Sequence, residues 1–421
     1  MTASQIGYAR LETWVKRYLA GTHRTVVGTV AWVIICLVVA QRLTPAALAR
    51  AIPATEPGSR RTRLRRVQRW WQGPELDLGI LTPRLIRAAL ALLPQEGEVH
   101  VALDTTRVGS WEVWQAGIAF AGRTLPVAWA VVPYPWPKGR FRATTLALVR
   151  QLQAAFPADR RWVLVADRGF PSAALFGQLR EGQTDWTVRL RLCDWVEVEG
   201  VYALVADHLE EGRLRPGERV AATIGRGTAE QPLVRAWVVV NEVIPPPPKH
   251  KDNAGTRRER TRRAQAHQKH LSHKGRKSSP PSDRARRYAQ TWVLFTTADT
   301  VAAAVVQYAA RMAIEETFRH WHHGWRVRLV AVGLATERAV SRLVGIVCLA
   351  YRLQVELGVR FSRDAQGQAR RAQWTVTDRV SYFWCGQRLF DDPGADWSAW
   401  LAEQWEQLIV PDAEPGLTKA A

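Results

Sequence analysis

From residue 99 to residue 167 the sequence changes period in an order that few folds accept. Val99, Val101 and Leu103 alternate with His100, Ala102 and Asp104, and a period of two marks a half-buried strand, here one that ends on a carboxylate. Two further strand-like runs, 114–121 and 124–132, flank Gly122-Arg123 and read as a hairpin. The proline-rich stretch 133–137 ends the sheet run, and 141–156 returns to a helical pattern. Then 162–167, WVLVAD, is a short, continuously apolar strand that closes on a second acid and runs into Arg168-Gly169-Phe170.

Strand, hairpin, helix, strand, with acids at strand ends, is the order of a ribonuclease-H-like core. The fold expected is therefore α/β. Five regions follow from the changes of pattern: a helical region over 1–95, the first part of the core over 96–185, a mainly β insertion over 186–290, the second part of the core over 291–335, and a helical region over 336–421. Within the last, 337–359 is apolar around much of its circumference and needs a partner inside the chain or on a second copy.

A third acid stands on the stretch 308–322. With about 100° of turn per residue and Tyr308 at zero, Arg311 falls near 300°, Glu315 near 340° and His322 near 320°. All four share one face. Ala310, Ile314, Phe318, Trp321 and Trp325 form an apolar stripe beside it, so Glu315 sits at a core edge while Glu316 points to solvent. An Arg311/Glu315 pair at i, i+4 is by itself only an ordinary helix contact.

Charge narrows the chemistry. The 421 residues carry 59 Lys and Arg against 38 Asp and Glu, a formal charge of +21. Such a field attracts polyanions, and because the positive charge recurs along the chain, nucleic acid is the first candidate. Two blocks concentrate it. The run 59–69 holds six arginines, among them Arg60, Arg61, Arg65 and Arg66, ahead of Trp70-Trp71, and like charges spaced i, i+4 invite an anion that relieves them. The segment 249–287 holds fourteen basic residues and three acids. It has no apolar face to bury and is expected to order on an anion.

The four cysteines are widely spaced, which suggests neither a zinc ribbon nor a disulfide framework and fits a reducing, cytoplasmic, nucleoid-associated setting. The apolar run 25–41 is at the short limit for a membrane span and reads as a buried helix. Asp104, Asp167 and Glu315 together suit phosphodiester chemistry. Two divalent ions held by carboxylates activate the attacking oxygen and stabilise the leaving one.

Tyr308, Arg311 and Glu315, with two, three and then six residues between successive positions up to His322, resemble the Tyr-Arg-Glu-Lys signature of DDE transposases from bacterial insertion sequences, of the insertion-sequence-four type. His322 stands where that family has Lys. Asp104-Thr-Thr and Asp167-Arg168 resemble the family's first and second acids. The resemblance implies a transposase that uses two Mg²⁺ or Mn²⁺ ions on Asp104, Asp167 and Glu315. It implies nicking of the element's ends, hairpin formation, strand transfer, and a homodimer on double-stranded terminal repeats and target DNA. The family also stacks a tryptophan on a flipped base, a role that the resemblance carries to Trp292, and DNA contacts carry over to Tyr308, Arg311, His322 and Arg168.

Two rivals remain. His323-Gly-Trp-Arg326 with Tyr351 has the look of a tyrosine recombinase, and the His at 322 admits a DNA-binding protein that has lost catalysis.

Overall fold

The computed structural model describes residues 8–52, 59–71, 76–241, 291–325, 336–364, 368 and 381–391. The basic segment 249–287, Arg326 and the tail beyond 391 lie outside the described residues.

Five helices precede the sheet: α1 (Tyr8–Tyr18), α2 (Arg24–Ala40), α3 (Pro45–Ala51), α4 (Arg60–Trp71) and α5 (Leu78–Leu90). Local signals set their starts. Thr44 accepts from the Ala47 N–H just ahead of Pro45, and Asp77 accepts from the Gly79 N–H at the head of α5, each satisfying a donor that the first helical turn leaves open. Helix α2, the apolar run, is buried along Val30–Val38 except for Trp32, and no single helix among the described residues is long and apolar enough to cross a membrane. On α4 the arginines Arg60, Arg61 and Arg65 are exposed and Arg66 is half-buried. Trp70 is buried with Val67 in the core, because a helix so rich in arginine needs an apolar edge to dock.

A ten-stranded mixed sheet organises the rest, in the order β3-β2-β1-β4-β5-β10-β9-β8-β6-β7. Its first half comprises β1 (Val99–Val108), β2 (Trp111–Phe120), β3 (Arg123–Pro133), β4 (Trp162–Ala166) and β5 (Asp185–Arg189). Strand β4 runs parallel to both β1 and β5, while β2 and β3 are antiparallel meander strands. The helices α6 (Arg140–Ala155) and α7 (Ala173–Glu181) make the crossovers. A register shift in the β2–β3 ladder falls at Ala116/Gly117, where a Cβ on Gly117 would stand 2.7 Å from the Thr124 side chain. Only glycine lets the two strands approach there.

The second half holds β6 (Trp195–Val198), β7 (Val201–Leu204), α8 (Val205–Glu210), β8 (Arg219–Ile224), β9 (Val234–Val240) and β10 (Val293–Thr296). Strand β10 joins the halves by pairing with β5 on one side and β9 on the other.

Helices α9 (Val301–Ala310) and α10 (Met312–Arg319) follow, then a π-helical turn over His320–Gly324, then α11 (Glu337–Arg363) and α12 (Tyr382–Asp391). The continuous helix expected over 308–322 is thus broken at Arg311. The backbone there tightens to three-residue hydrogen bonds, Arg311 N–H to Tyr308 C=O and Ile314 N–H to Arg311 C=O, each 3.0 Å. Glu316 also departs from expectation, pairing with Arg319 and, at 3.6 Å, with Arg123 instead of standing free in solvent.

The long helix α11 is buried from Val340 to Val359 and packs on α12, β3, α2 and α4. The partner its apolar circumference requires is therefore within the chain.

Candidate active site

Parallel pairing places the first two acids. The β1–β4 ladder ends at Leu103↔Ala166, so the next residues along the two strands are Asp104 and Asp167, side by side at the carboxyl ends of that ladder. Strand β1 does not stop there, as the sequence reading expected. It continues four residues beyond Asp104 because its antiparallel pairing with β2 runs on to Val108↔Trp111.

Two anchors bring the third acid in. Gln307 on α9 accepts from the Thr187 hydroxyl (2.6 Å) and donates to Glu98 (2.8 Å), fixing that helix over the sheet. Thr317 on α10 accepts from the Thr124 N–H at 2.9 Å, at the start of β3. Between the anchors the side chains of Tyr308, Arg311 and Glu315 meet the strand ends.

Arg311 is the centre of the cluster. Its residue exposure is 4%, its Nη1 donates to Asp104 Oδ2 at 2.9 Å, and its Nη2 donates to Glu315 Oε1. Tyr308 donates its hydroxyl to Asp167 Oδ1 at 2.9 Å, and Arg189 Nη1 lies 3.9 Å from the same oxygen. Thr105 N–H donates to Asp104 Oδ1 at 2.8 Å. The sequence reading missed Arg189 because it assigned 186–290 to the insertion, whereas β5 pairs in parallel with β4 and carries Arg189 to the same strand ends.

The two aspartates feel opposite environments. Burial pushes Asp104 up to about 6, and the like charges of Asp167 and Glu315 add to this against the opposing pull of Arg311 and the Thr105 N–H. Burial also acts on Asp167, but the Arg168 N–H, Arg311, the Tyr308 hydroxyl and Arg189 outweigh it and hold the carboxyl below its usual range. Desolvation of the charged form competes with nearby cations and donors at both; burial prevails at Asp104, and the cations and donors prevail at Asp167.

The remaining expected residues sit at varied distances from this centre. His322 Nε2 is 2.9 Å from Thr106 Oγ1, two residues along β1 from Asp104. Arg168 is exposed beside Asp167. Trp292 is half-buried, its ring set edge-on to Tyr308 with centroids 4.8 Å apart. Tyr351 is fully buried on α11, and burial raises its hydroxyl far above the usual range. A nucleophile must reach a phosphate, so the tyrosine-recombinase reading falls with that burial.

All three acids offer oxygen, the donor that a hard divalent ion prefers. In chemistry the residues fit such an ion. In geometry the cation they now surround is the Arg311 guanidinium, and among the described residues no three His, Cys, Asp or Glu side chains stand in a metal-holding group.

A mixed sheet bearing acids at parallel strand ends, with a third acid delivered by a helix, defines an α/β protein with a gathered carboxylate site. Residues 118–353 match the family model described as the transposase DDE domain. That is more than half of the chain, and the protein belongs to this family. The match includes Asp167 and Glu315 and begins after Asp104. No protein of curated function matches the chain in sequence.

Proposed function

We propose that this transposase-family chain performs metal-dependent cut-and-paste transposition of an insertion sequence, with Asp104, Asp167 and Glu315 as its catalytic and metal-holding acids. The observation that carries the reading is the gathering of three acids, from β1, the end of β4 and α10, around one guanidinium. The strand order β3-β2-β1-β4-β5 with parallel β1, β4 and β5 supports a ribonuclease-H-like core. Strands β6 to β9 serve as the inserted wing, the basic segment 249–287 as a phosphate-binding arm, and the helical ends as regions for DNA contact and for pairing of two copies.

Two Mg²⁺ or Mn²⁺ ions, when bound by the acids, supply an activated oxygen nucleophile and a stabilised leaving oxygen. The chain's own groups do the positioning. The Thr105 and Arg168 N–H groups and the Tyr308 hydroxyl orient the aspartates, while His322 and Arg168 line the approach for the DNA backbone. Trp292 supplies a ring for an extruded base, a contact worth about 1 to 3 kcal/mol.

Nicking of a duplex that carries the element's end, in Mg²⁺ or Mn²⁺, tests this. Asp104→Asn, Asp167→Asn and Glu315→Gln should each abolish nicking and leave end binding within a few-fold. Wild-type nicking by any one of them removes that residue from the site. The second reading, a lapsed DNA-binding protein, draws on His322. Under it wild type binds ends and nicks in neither metal, and His322→Lys restores nothing.

A further inference from the structure

The positive charge amid the three acids belongs to the chain itself. Arg311 engages Asp104 and Glu315 directly and lies close enough to Asp167 for each to perturb the other electrostatically. Both Asp104 oxygens are engaged, one by Arg311 and one by the Thr105 N–H. An ion approaching Asp104 therefore meets a guanidinium where it would sit. We propose that Arg311 is a built-in counter-ion that keeps divalent metal off the acids in the DNA-free protein, and that the DNA backbone draws it away, so that metal and DNA load the site together. The inference rests on the metal-dependent reading above.

Three features make Arg311 able to leave. It is the joint between α9 and α10, whose anchors at Gln307 and Thr317 lie on either side, so its side chain and the tightened turn are free to shift while both helices stay docked. Its Nε is buried without a hydrogen-bond partner in the described structure, a deficit that a new acceptor would repair. Glu315, the acid it holds one turn further along on α10, has a side chain 41% exposed, which opens this side of the cluster to solvent. A guanidinium pairs with phosphate in the same two-pronged geometry as with carboxylate. The exchange therefore costs Arg311 no hydrogen bonds, while the acids it vacates become free to take an ion.

The consequence is a defined order. Free protein holds metal weakly, and a phosphate in the site both frees the acids and adds its own oxygens to them.

Mn²⁺ binding to the full chain, read by the loss of the free-ion electron paramagnetic resonance signal, tests this without turnover. Without DNA, Arg311→Gln should bind Mn²⁺ at least about tenfold more tightly than wild type, since a full positive charge at contact distance is removed. Arg311→Lys, which keeps the charge, should stay within about threefold of wild type. Adding a 20-base-pair duplex should tighten wild-type binding by a similar factor, with Asp104→Asn and the same duplex as the measure of ions held by DNA alone. This arm needs no Arg311 variant to fold. Equal affinity for wild type and Arg311→Gln, with binding still removed by Asp104→Asn, overturns the counter-ion and leaves the metal site standing. Unchanged wild-type affinity on addition of DNA overturns the coupling. If no sample binds Mn²⁺ in a way that Asp104→Asn removes, the metal-dependent reading itself falls and takes the counter-ion with it.

Discussion

Two Arg/Glu pairs with the same i, i+4 spacing meet opposite fates in this chain. Arg352 and Glu356 on α11 have side chains 0% and 2% exposed. Tyr18 closes over them by donating to Glu356 at 3.3 Å, and Arg352 also donates to the Leu85 carbonyl at 3.3 Å. Arg311 is also buried, its side chain 5% exposed, but its partner Glu315 is open to solvent and a further carboxylate, Asp104, shares the guanidinium. One pair is sealed with a single acid per base. The other is open and has more acids than bases in contact. Spacing alone makes a helix contact in either case, and it is surplus negative charge beside an exposed edge that separates a site from a strut.

That contrast breaks most sharply at the acids. If Glu315 holds catalytic ions as proposed, Glu315→Gln should lower nicking by roughly three orders of magnitude or more, with unfolding by urea shifted little. Glu356→Ala should do the reverse, destabilising the fold by about 3 to 5 kcal/mol because Arg352 is left buried and uncompensated, while folded molecules nick normally. Equal stability losses at the two glutamates would erase the distinction.

A pH series sharpens it. His320, buried against Phe383 with ring centroids 4.4 Å apart, is lowered to about 3 by burial and by the nearby Arg123 and Arg319. Between about 3 and 6.5 the unfolded chain binds more protons at this residue than the folded one, so its contribution makes stability rise with pH, by up to about 1.4 kcal/mol per unit. Asp104 works oppositely: between 3.8 and about 6 the folded state holds the extra proton, and stability falls as pH rises. In metal-free, DNA-free protein, His320→Phe should flatten the first trend and Asp104→Asn the second, both read from urea midpoints. The reverse assignment would show that these environments are misread.

The smallest effect concerns orientation. Tyr308→Phe removes the hydroxyl from Asp167 and should reduce nicking about tenfold or less, the scale of one lost hydrogen bond. A null effect would make Tyr308 a packing residue beside Trp292.

Much of this arrangement was legible beforehand, and for identifiable reasons. The alternation at 99–103 and the apolar run at 162–166 record strands buried on one face and on both. The Gly122 turn has the positive φ of 74° that a tight hairpin needs. Tyr308, Arg311 and Glu315 share a face under any helical winding near 3.6 residues per turn. Other features left no local trace. The end of β1 was misplaced because Asp104, Thr105, Thr106 and Arg107 line a half-open edge, where polar residues replace the alternation. Trp70 directly follows the arginine run in sequence, yet it is the wedge that docks an otherwise arginine-covered helix. Tyr351 looked nucleophilic until neighbouring helices enclosed it.

What the linear chain settles here is periodicity, charge and the kinds of side chain on offer, since each depends on near neighbours or on simple sums. Which acids meet, and around what cation, was decided by strand register and by two helix anchors more than a hundred residues away in sequence from the groups they hold, Thr187 to Gln307 and Thr124 to Thr317. Contacts between distant segments are chosen by packing of the whole sheet, and no window of sequence contains that information.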